Sequence, residues 1–179
     1  MAEQKKQPAI LSSRTATVLF CAVAVCCFVL DRWSKLIADA HQVNQVFVKN
    51  VLNLFEFRLA HNTGAAWSMF SNSTVLLGVF SLLVCALILV YFFGIRKARM
   101  GALECLGISL VFSGGLGNAF DRLVNGYVVD FINATFINYP IFNVADIGVV
   151  CGIVLFFIGF LLYMKDADDE DEIKDGAHA

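Results

Sequence analysis

The chain has 179 residues, of which 59% are hydrophobic and 16% charged, and its mean hydropathy is +0.73. That composition is too apolar for an ordinary soluble domain, so a bilayer is the expected solvent. The net charge of -2 conceals a basic body with an acidic tail, and the Lys and Arg residues flank apolar runs instead of forming the stripe that nucleic-acid binding needs.

About 20 apolar residues are needed to cross the hydrocarbon core. Four segments of the chain meet that requirement. The first begins at Ala16, is unbroken to Leu30, and continues through Asp31, Arg32, Trp33, Ser34 and Lys35 toward Ala40. The second, Thr74 to Phe93, carries no charge. The third, Ala102 to Phe120, has Glu104 near its start and becomes rich in glycine at Gly114, Gly115 and Gly117. The fourth, Ile141 to Met164, holds Asn143 and Asp146 in its first two turns.

Basic residues in short loops set orientation. Lys5, Lys6 and Arg14 precede the first helix, Arg96, Lys97 and Arg99 join the second to the third, and Lys165 follows the fourth. Both termini are then expected in the cytoplasm, with the segments 31–72 and 121–140 facing outward. In the first outer segment Phe55, Glu56, Phe57, Arg58 and Leu59 alternate with the period of a half-buried strand. The expected fold is therefore all-α, with four transmembrane helices and a small extracytoplasmic β element. Residues 1–15 read as a cytoplasmic N-terminal segment, 16–164 as the membrane domain and 165–179 as a disordered, acidic cytoplasmic tail. No internal repeat of the transporter kind is visible. A competing reading makes the N-terminus a cleavable signal peptide ending at Ala38-Asp39-Ala40, but the charged stretch Asp31 to Lys35 separates the apolar run from that point.

An ionisable residue at membrane level costs several kcal/mol unless it is paired or wet. With the topology above, Asp31, Lys35, Asn118, Asp121, Arg122, Asp130, Asn143 and Asp146 converge near the outer face. Residues three or four apart share a helix face, so Asp31 can pair with Lys35, Asn118 can meet Asp121 and Arg122, and Asn143 lies beneath Asp146. Asp130 and Asp146, each in an apolar string, lack an obvious local cation. Two such carboxylates brought together would share a proton, the arrangement in which one activates water and the other donates a proton.

Blander readings stand beside this one. Asp31 with Lys35 can be a snorkelling ion pair, Asp121 with Arg122 scaffold, and the glycine groups close helix packing, including Gly148 and Gly152 in G-x-x-x-G spacing. The six cysteines lie in apolar segments without Cys-x-x-Cys spacing, as small buried hydrophobes do. His41 and His61 lack metal-ligand spacing, so neither a metal nor another cofactor is expected. Residue chemistry alone leaves open a membrane aspartyl hydrolase, a small transporter or channel using the same acids, and a Ser/Lys peptidase built on Ser68 or Ser113. A relay would need ionisable residues at successive depths, and the second helix has none.

Four blocks then carry a resemblance: Asp31-Arg32-Trp33-Ser34-Lys35; Asn62-Thr63-Gly64-Ala65-Ala66-Trp67-Ser68; Gly114 through Arg122 with Gly126, Val129, Asp130, Phe131 and Ile132; and Phe142-Asn143-Val144-Ala145-Asp146. Their order and spacing resemble those of the lipoprotein signal peptidases (signal peptidase II). Ser34 stands where that family usually has Thr, and Trp67 where Phe is common. The resemblance implies a bacterial inner-membrane aspartic endopeptidase that cleaves diacylglyceryl-modified prolipoproteins before the lipidated Cys, acting as a monomer without a cofactor. It implies Asp130 and Asp146 as the catalytic pair and Asn62, Gly64, Asn118, Arg122 and Asn143 as substrate-binding or orienting residues. Asp31, Lys35, Gly114 and Asp121 take the place of structural supports.

Overall fold

The structure, a computed structural model, describes residues 10–64, 73–96 and 100–176. Trp67 and Ser68, with Lys5, Lys6, Lys97 and Arg99, lie outside the described residues. In chain order the elements are α1 (Ser13–Asp39), β1 (Val46–Val51), β2 (Phe55–Asn62), α2 (Thr74–Val90) continuing into a π-helical turn (Tyr91–Arg96), α3 (Ala102–Val124), β3 (Val128–Ala134) and α4 (Val144–Gly176).

All four helices contain a stretch long and apolar enough to cross a membrane. α3 is the hub, because 56% of its apolar stretch is buried within the protein against 17% for α1 and α2 and 11% for α4. The outer three turn Leu36 of α1, Leu76 of α2 and Leu161 of α4 outward at 73%, 68% and 64% exposure. Such surface suits lipid and would be a liability in water. Small residues bring α4 against α3: a Cβ added at Gly152 would lie 2.6 Å from the Gly107 carbonyl oxygen, whereas one at Gly148 would meet the Leu110 oxygen at an ordinary 3.6 Å. Of the two glycines in that G-x-x-x-G run, Gly152 is the one the close approach demands. Phe20, Phe92, Met100, Cys105 and Ile108 fill the core at the end of the bundle away from the sheet.

β1, β2 and β3 form an antiparallel sheet in that order. The alternation at Phe55–Leu59 thus marks β2, which extends to Asn62, and β1 and β3 are additional to it. The sheet stands on the bundle through Ala38 of α1, Leu59, Val129 and Phe131. The chain leaving β3 folds back beside it, with the Phe142 N–H donating to the Ile132 oxygen at 3.0 Å and the Ile132 N–H to the Phe142 oxygen at 2.8 Å. The start of α4 is thereby fixed next to β3.

One expectation is corrected. The acidic tail is not the disordered run its composition suggests, because helical backbone continues from the membrane stretch through to Gly176. Nucleation is the costly step in helix formation and α4 has already met it, and no Pro or Gly interrupts residues 165–175.

Candidate active site

The α4 N-terminus supplies half of the site. Asn143 caps the helix, its Oδ1 accepting from the Asp146 N–H at 3.0 Å while Asp146 Oδ2 accepts from the Asn143 N–H at 3.0 Å. This is a capping box made with Asn and Asp, and it satisfies two helix-end donors reciprocally. The box leaves the Asn143 amide NH2 unused by the helix. It donates instead to Asp130 Oδ1 at 2.7 Å and to Asn118 Oδ1 at 3.1 Å.

β3 supplies the other half. Asp130 is opposite Ala60 in the β2 register, which puts Asn62, two residues on, diagonally beside it on the same face. Asn62 donates to Asp130 Oδ2 at 2.9 Å, and its own oxygen accepts from the Gly64 N–H at 2.9 Å. Asn118 of α3 completes the connection by donating to Asp146 Oδ1 at 2.7 Å. Both carboxylates are therefore oriented by side-chain amides, and Asn143 touches each of them.

Asp130 is 3% exposed. Its burial, and then the charge of Asp146, push its carboxyl up to about 7, against the opposing effect of the amides of Asn62 and Asn143 and the more distant Lys35. Asp146 occupies the N-terminus of α4, where it accepts from the Asn143 N–H at 3.0 Å and faces the positive end of the helix dipole.

Asp130 and Asp146 line a cavity of about 200 Å³ together with Asn62, Asn118, Arg122 and Phe142. Arg122 donates to the backbone oxygens of Asn118 and Gly64, both at 3.3 Å. Its Nε is buried without a protein partner among the described residues.

A second polar cluster lies behind Asn118. Lys35 Nζ is 3.1 Å from Asp31, 2.9 Å from Asp121 and 2.8 Å from Asn118 Oδ1. Arg32 bridges the same acids, at 2.8 Å from Asp31 and 2.6 Å from Asp121. Asp31 also accepts from the Ala145 N–H at 3.1 Å, which ties α1 to the start of α4. A Cβ at Gly117 would sit 2.6 Å from Asp31 Oδ2, and one at Gly114 would collide with the Ala145 carbonyl. These two glycines let α3 approach both neighbours at the level of the cluster.

The eleven residues singled out from the sequence thus divide into two groups. Asp130, Asp146, Asn62, Asn118 and Arg122 line one cavity, with Asn143 and Gly64 hydrogen-bonded to them, while Asp31, Lys35, Gly114 and Asp121 lie behind it. Two details differ from the spacing argument. Asn118 does meet Arg122, through its backbone oxygen, but its side chain reaches Asp146, Lys35 and Asn143 and not Asp121, and Asp121 pairs with Arg32 and Lys35 of α1. Helical spacing ranks neighbours along one helix, whereas α1 and α3 face one another. Arg32, unassigned in the sequence reading, proves to be a bridging cation; its place beside Asp31 was the available signal. Ser113 donates to the Ala24 oxygen at 3.0 Å and serves helix packing. His61 pairs with Asp39 at 2.7 Å and stacks on Tyr127, away from the carboxylate pair.

Comparison with known proteins matches this chain to a family. The family described as Signal peptidase (SPase) II matches residues 23–162. A lipoprotein signal peptidase of Clostridium acetobutylicum is 35% identical over 162 residues, which span 89% of this chain and 97% of that one. One from Staphylococcus haemolyticus is 36% identical, spanning 83% of this chain and 92% of its own length. Two solved structures described as bacterial membrane enzymes, obtained by the in meso method at 2.3 and 1.9 Å, superpose with TM-scores of 0.74 and 0.69 at 25% and 28% identity. The first likeness covers 92% of this chain and 96% of that structure, the second 79% and 92%.

Proposed function

The chain belongs to the signal peptidase II family and removes signal peptides from prolipoproteins, and we propose that it does so as an aspartic endopeptidase with Asp130 and Asp146 as its catalytic pair. The observation that carries this reading is Asn143, which holds Asp130 at 2.7 Å by its side chain and Asp146 at 3.0 Å by its backbone. Two carboxylates so held, one of them pushed up to about 7, form a unit that keeps one proton near neutral pH.

In this mechanism Asp146 carries the charge and Asp130 the proton. Asp146 takes a proton from a water lying between the carboxyl groups, and the resulting hydroxide attacks the carbonyl carbon before the lipidated Cys. Asp130 gives its proton to the developing oxyanion. Collapse of the tetrahedral intermediate then breaks the C–N bond, a proton from the carboxyl pair goes to the leaving amine, and a signal peptide with a free carboxylate departs. Asn62, Asn118 and Asn143 keep the carboxyl oxygens aimed at one point. The Arg122 guanidinium holds the peptide against them, and Gly64 orients it, its carbonyl accepting from Arg122 and its N–H donating to Asn62. Lys35, with Asp31 and Asp121, fixes the Asn118 oxygen so that its NH2 group faces Asp146.

The setting follows from the basic residues flanking the helices: both termini in the cytoplasm, the sheet and the dyad at the extracytoplasmic face of a bacterial inner membrane. There the diacylglyceryl chains on the substrate Cys stay in lipid while the peptide enters the wet cavity. Each buried methylene contributes about 0.8 kcal/mol, so the two acyl chains dominate substrate binding. A single chain holds the whole site, and residues 16–164 form the peptidase domain. The test is cleavage of a lipidated precursor in detergent by the parent, Asp130→Asn and Asp146→Asn proteins. Cleavage by the parent and by neither variant is expected, and turnover by a folded variant contradicts the assignment.

A further inference from the structure

Each carboxylate of the dyad follows, in the chain, a residue whose backbone N–H is held by a buried acid. The Val129 N–H, one position before Asp130, donates to Asp121 Oδ2 at 3.3 Å. The Ala145 N–H, one position before Asp146, donates to Asp31 Oδ1 at 3.1 Å. β3 is thus moored to an acid of α3, and the start of α4 to an acid of α1. Both acids are fully enclosed, Asp31 at 1% and Asp121 at 0% exposure.

Arg32 spans the two moorings. Its Nη1 donates to Asp121 Oδ1 at 2.6 Å and its Nη2 to Asp31 Oδ2 at 2.8 Å. A guanidinium is planar and its terminal nitrogens keep a fixed separation, so one contact from each sets how far apart the two acids stand. Lys35 touches the same acids at 3.1 and 2.9 Å, but an ammonium is a point charge whose donors pivot about a single nitrogen. One of those donors is also spent on Asn118 Oδ1. The Arg32 plane is itself flanked by aromatic rings, with the Phe120 centroid at 5.1 Å and the Phe28 centroid at 5.9 Å.

We propose that Arg32 is a positioning residue for the hydrolysis, a rigid spacer that sets the distance between Asp130 and Asp146 through Asp121 and Val129 on one side and Asp31 and Ala145 on the other. The proposal rests on the dyad reading above. Asn143 joins the two carboxyl groups at their oxygens, and Arg32 joins their backbones from behind. Amide donors can aim only carboxyl groups whose backbones already stand at the right separation, and a misplacement of about 1 Å costs on the order of a hundredfold in rate. Lys35 and the Phe142–Ile132 backbone pair persist without Arg32, so the displacement on losing it is a fraction of that.

Arg32→Lys keeps the positive charge and removes the two-point spacing, while Arg32→Gln removes both. Among the described residues Arg32 does not border the cavity, so substrate affinity is not its business. On a lipidated precursor, folded Arg32→Lys protein is expected to lose about three- to tenfold in kcat with KM within about twofold of the parent. The alkaline limb of its kcat profile should also move to lower pH, because a wider separation weakens the push of the Asp146 charge on Asp130. Arg32→Gln should show the same shift with a larger fall in Tm. A lower Tm with parental kcat and an unmoved limb makes Arg32 scaffold alone and overturns the proposal, as does a loss confined to KM. Either result leaves the dyad assignment standing, since Asp130→Asn and Asp146→Asn test that separately. Should neither Arg32 variant fold, Phe120→Leu takes their place, because it frees the guanidinium plane and alters no charge. It should move the limb in the same direction, and a parental kcat and pH profile there overturns the proposal.

Discussion

Asn143 donates its side-chain amide to Asp130 at 2.7 Å while its backbone N–H is held by the Asp146 carboxylate at 3.0 Å. One residue thus caps a helix and sets the relation between two carboxyl groups from different elements. Asn143→Ala removes the cap, worth about 1 kcal/mol, and leaves buried Asp130 with one fewer donor. The expected result is a lower Tm together with a loss in kcat of about a hundredfold or more, because misdirected carboxyl groups lose general acid–base catalysis. Melting and kcat measured on the same preparation check it. A destabilised protein with parental kcat would show that the cap alone matters.

The cluster behind the site should act on the fold. Asp31 is 1% exposed and faces Lys35 at 3.1 Å and Arg32 at 2.8 Å. Asp31→Asn leaves those cations short of one counter-charge, and breaking a buried pair costs about 3–5 kcal/mol. Tm should therefore fall sharply, whereas the protein that remains folded should lose less than tenfold in kcat. A large kcat loss at unchanged Tm would transfer Asp31 into the catalytic machinery.

Close approach at Gly117 can be tested in the same way. A Cβ there would lie 2.6 Å from Asp31 Oδ2, while one at Gly148 would lie 3.6 Å from its nearest neighbour, the Leu110 oxygen. Gly117→Ala should destabilise by about 1–3 kcal/mol through overpacking, and Gly148→Ala should stay within about 0.5 kcal/mol of the parent. Equal melting temperatures for the two variants would contradict the packing described.

The pH dependence follows from Asp130. Its carboxyl is pushed up to about 7 in the folded protein, against about 3.9 for an unfolded Asp. Below pH 4 both states hold the proton and no difference arises. Between 4 and 7 the folded state keeps a proton that the unfolded chain releases, so this group lowers stability as pH rises, and above 7 the full cost is present. Asp130→Asn lacks that titration. Its Tm relative to the parent should rise from pH 4.5 to 7.5 and level off above, as a pair of melting series would record, whereas a difference independent of pH would contradict the raised carboxyl. Parental cleavage should also decline as pH rises through about 7, where the proton donor is lost.

The helices were legible because hydropathy and length suffice to mark a membrane span, and the acids gather at one end because Asp31, Asp121 and Asp146 fall at the same end of spans that alternate in direction. β3 was not legible as a strand. Val128, Val129, Asp130 and Phe131 are all buried, so the period-two alternation that reveals a half-exposed strand is missing. The partners of Asp121 were misread for a related reason. Arg122 is its sequence neighbour, but Arg32 and Lys35 come from a helix nearly ninety positions away, and no local pattern encodes a contact between helices.

The most direct test of the central claim is kcat for Asp130→Asn and Asp146→Asn on a lipidated precursor, each in protein shown to be folded by its melting curve. Each single change should abolish turnover, and the double change should cost little more, because groups that act as one unit are strongly non-additive. Retention by either folded variant of more than about a hundredth of parental activity, less than the loss of one general acid or base, would contradict the shared-proton mechanism.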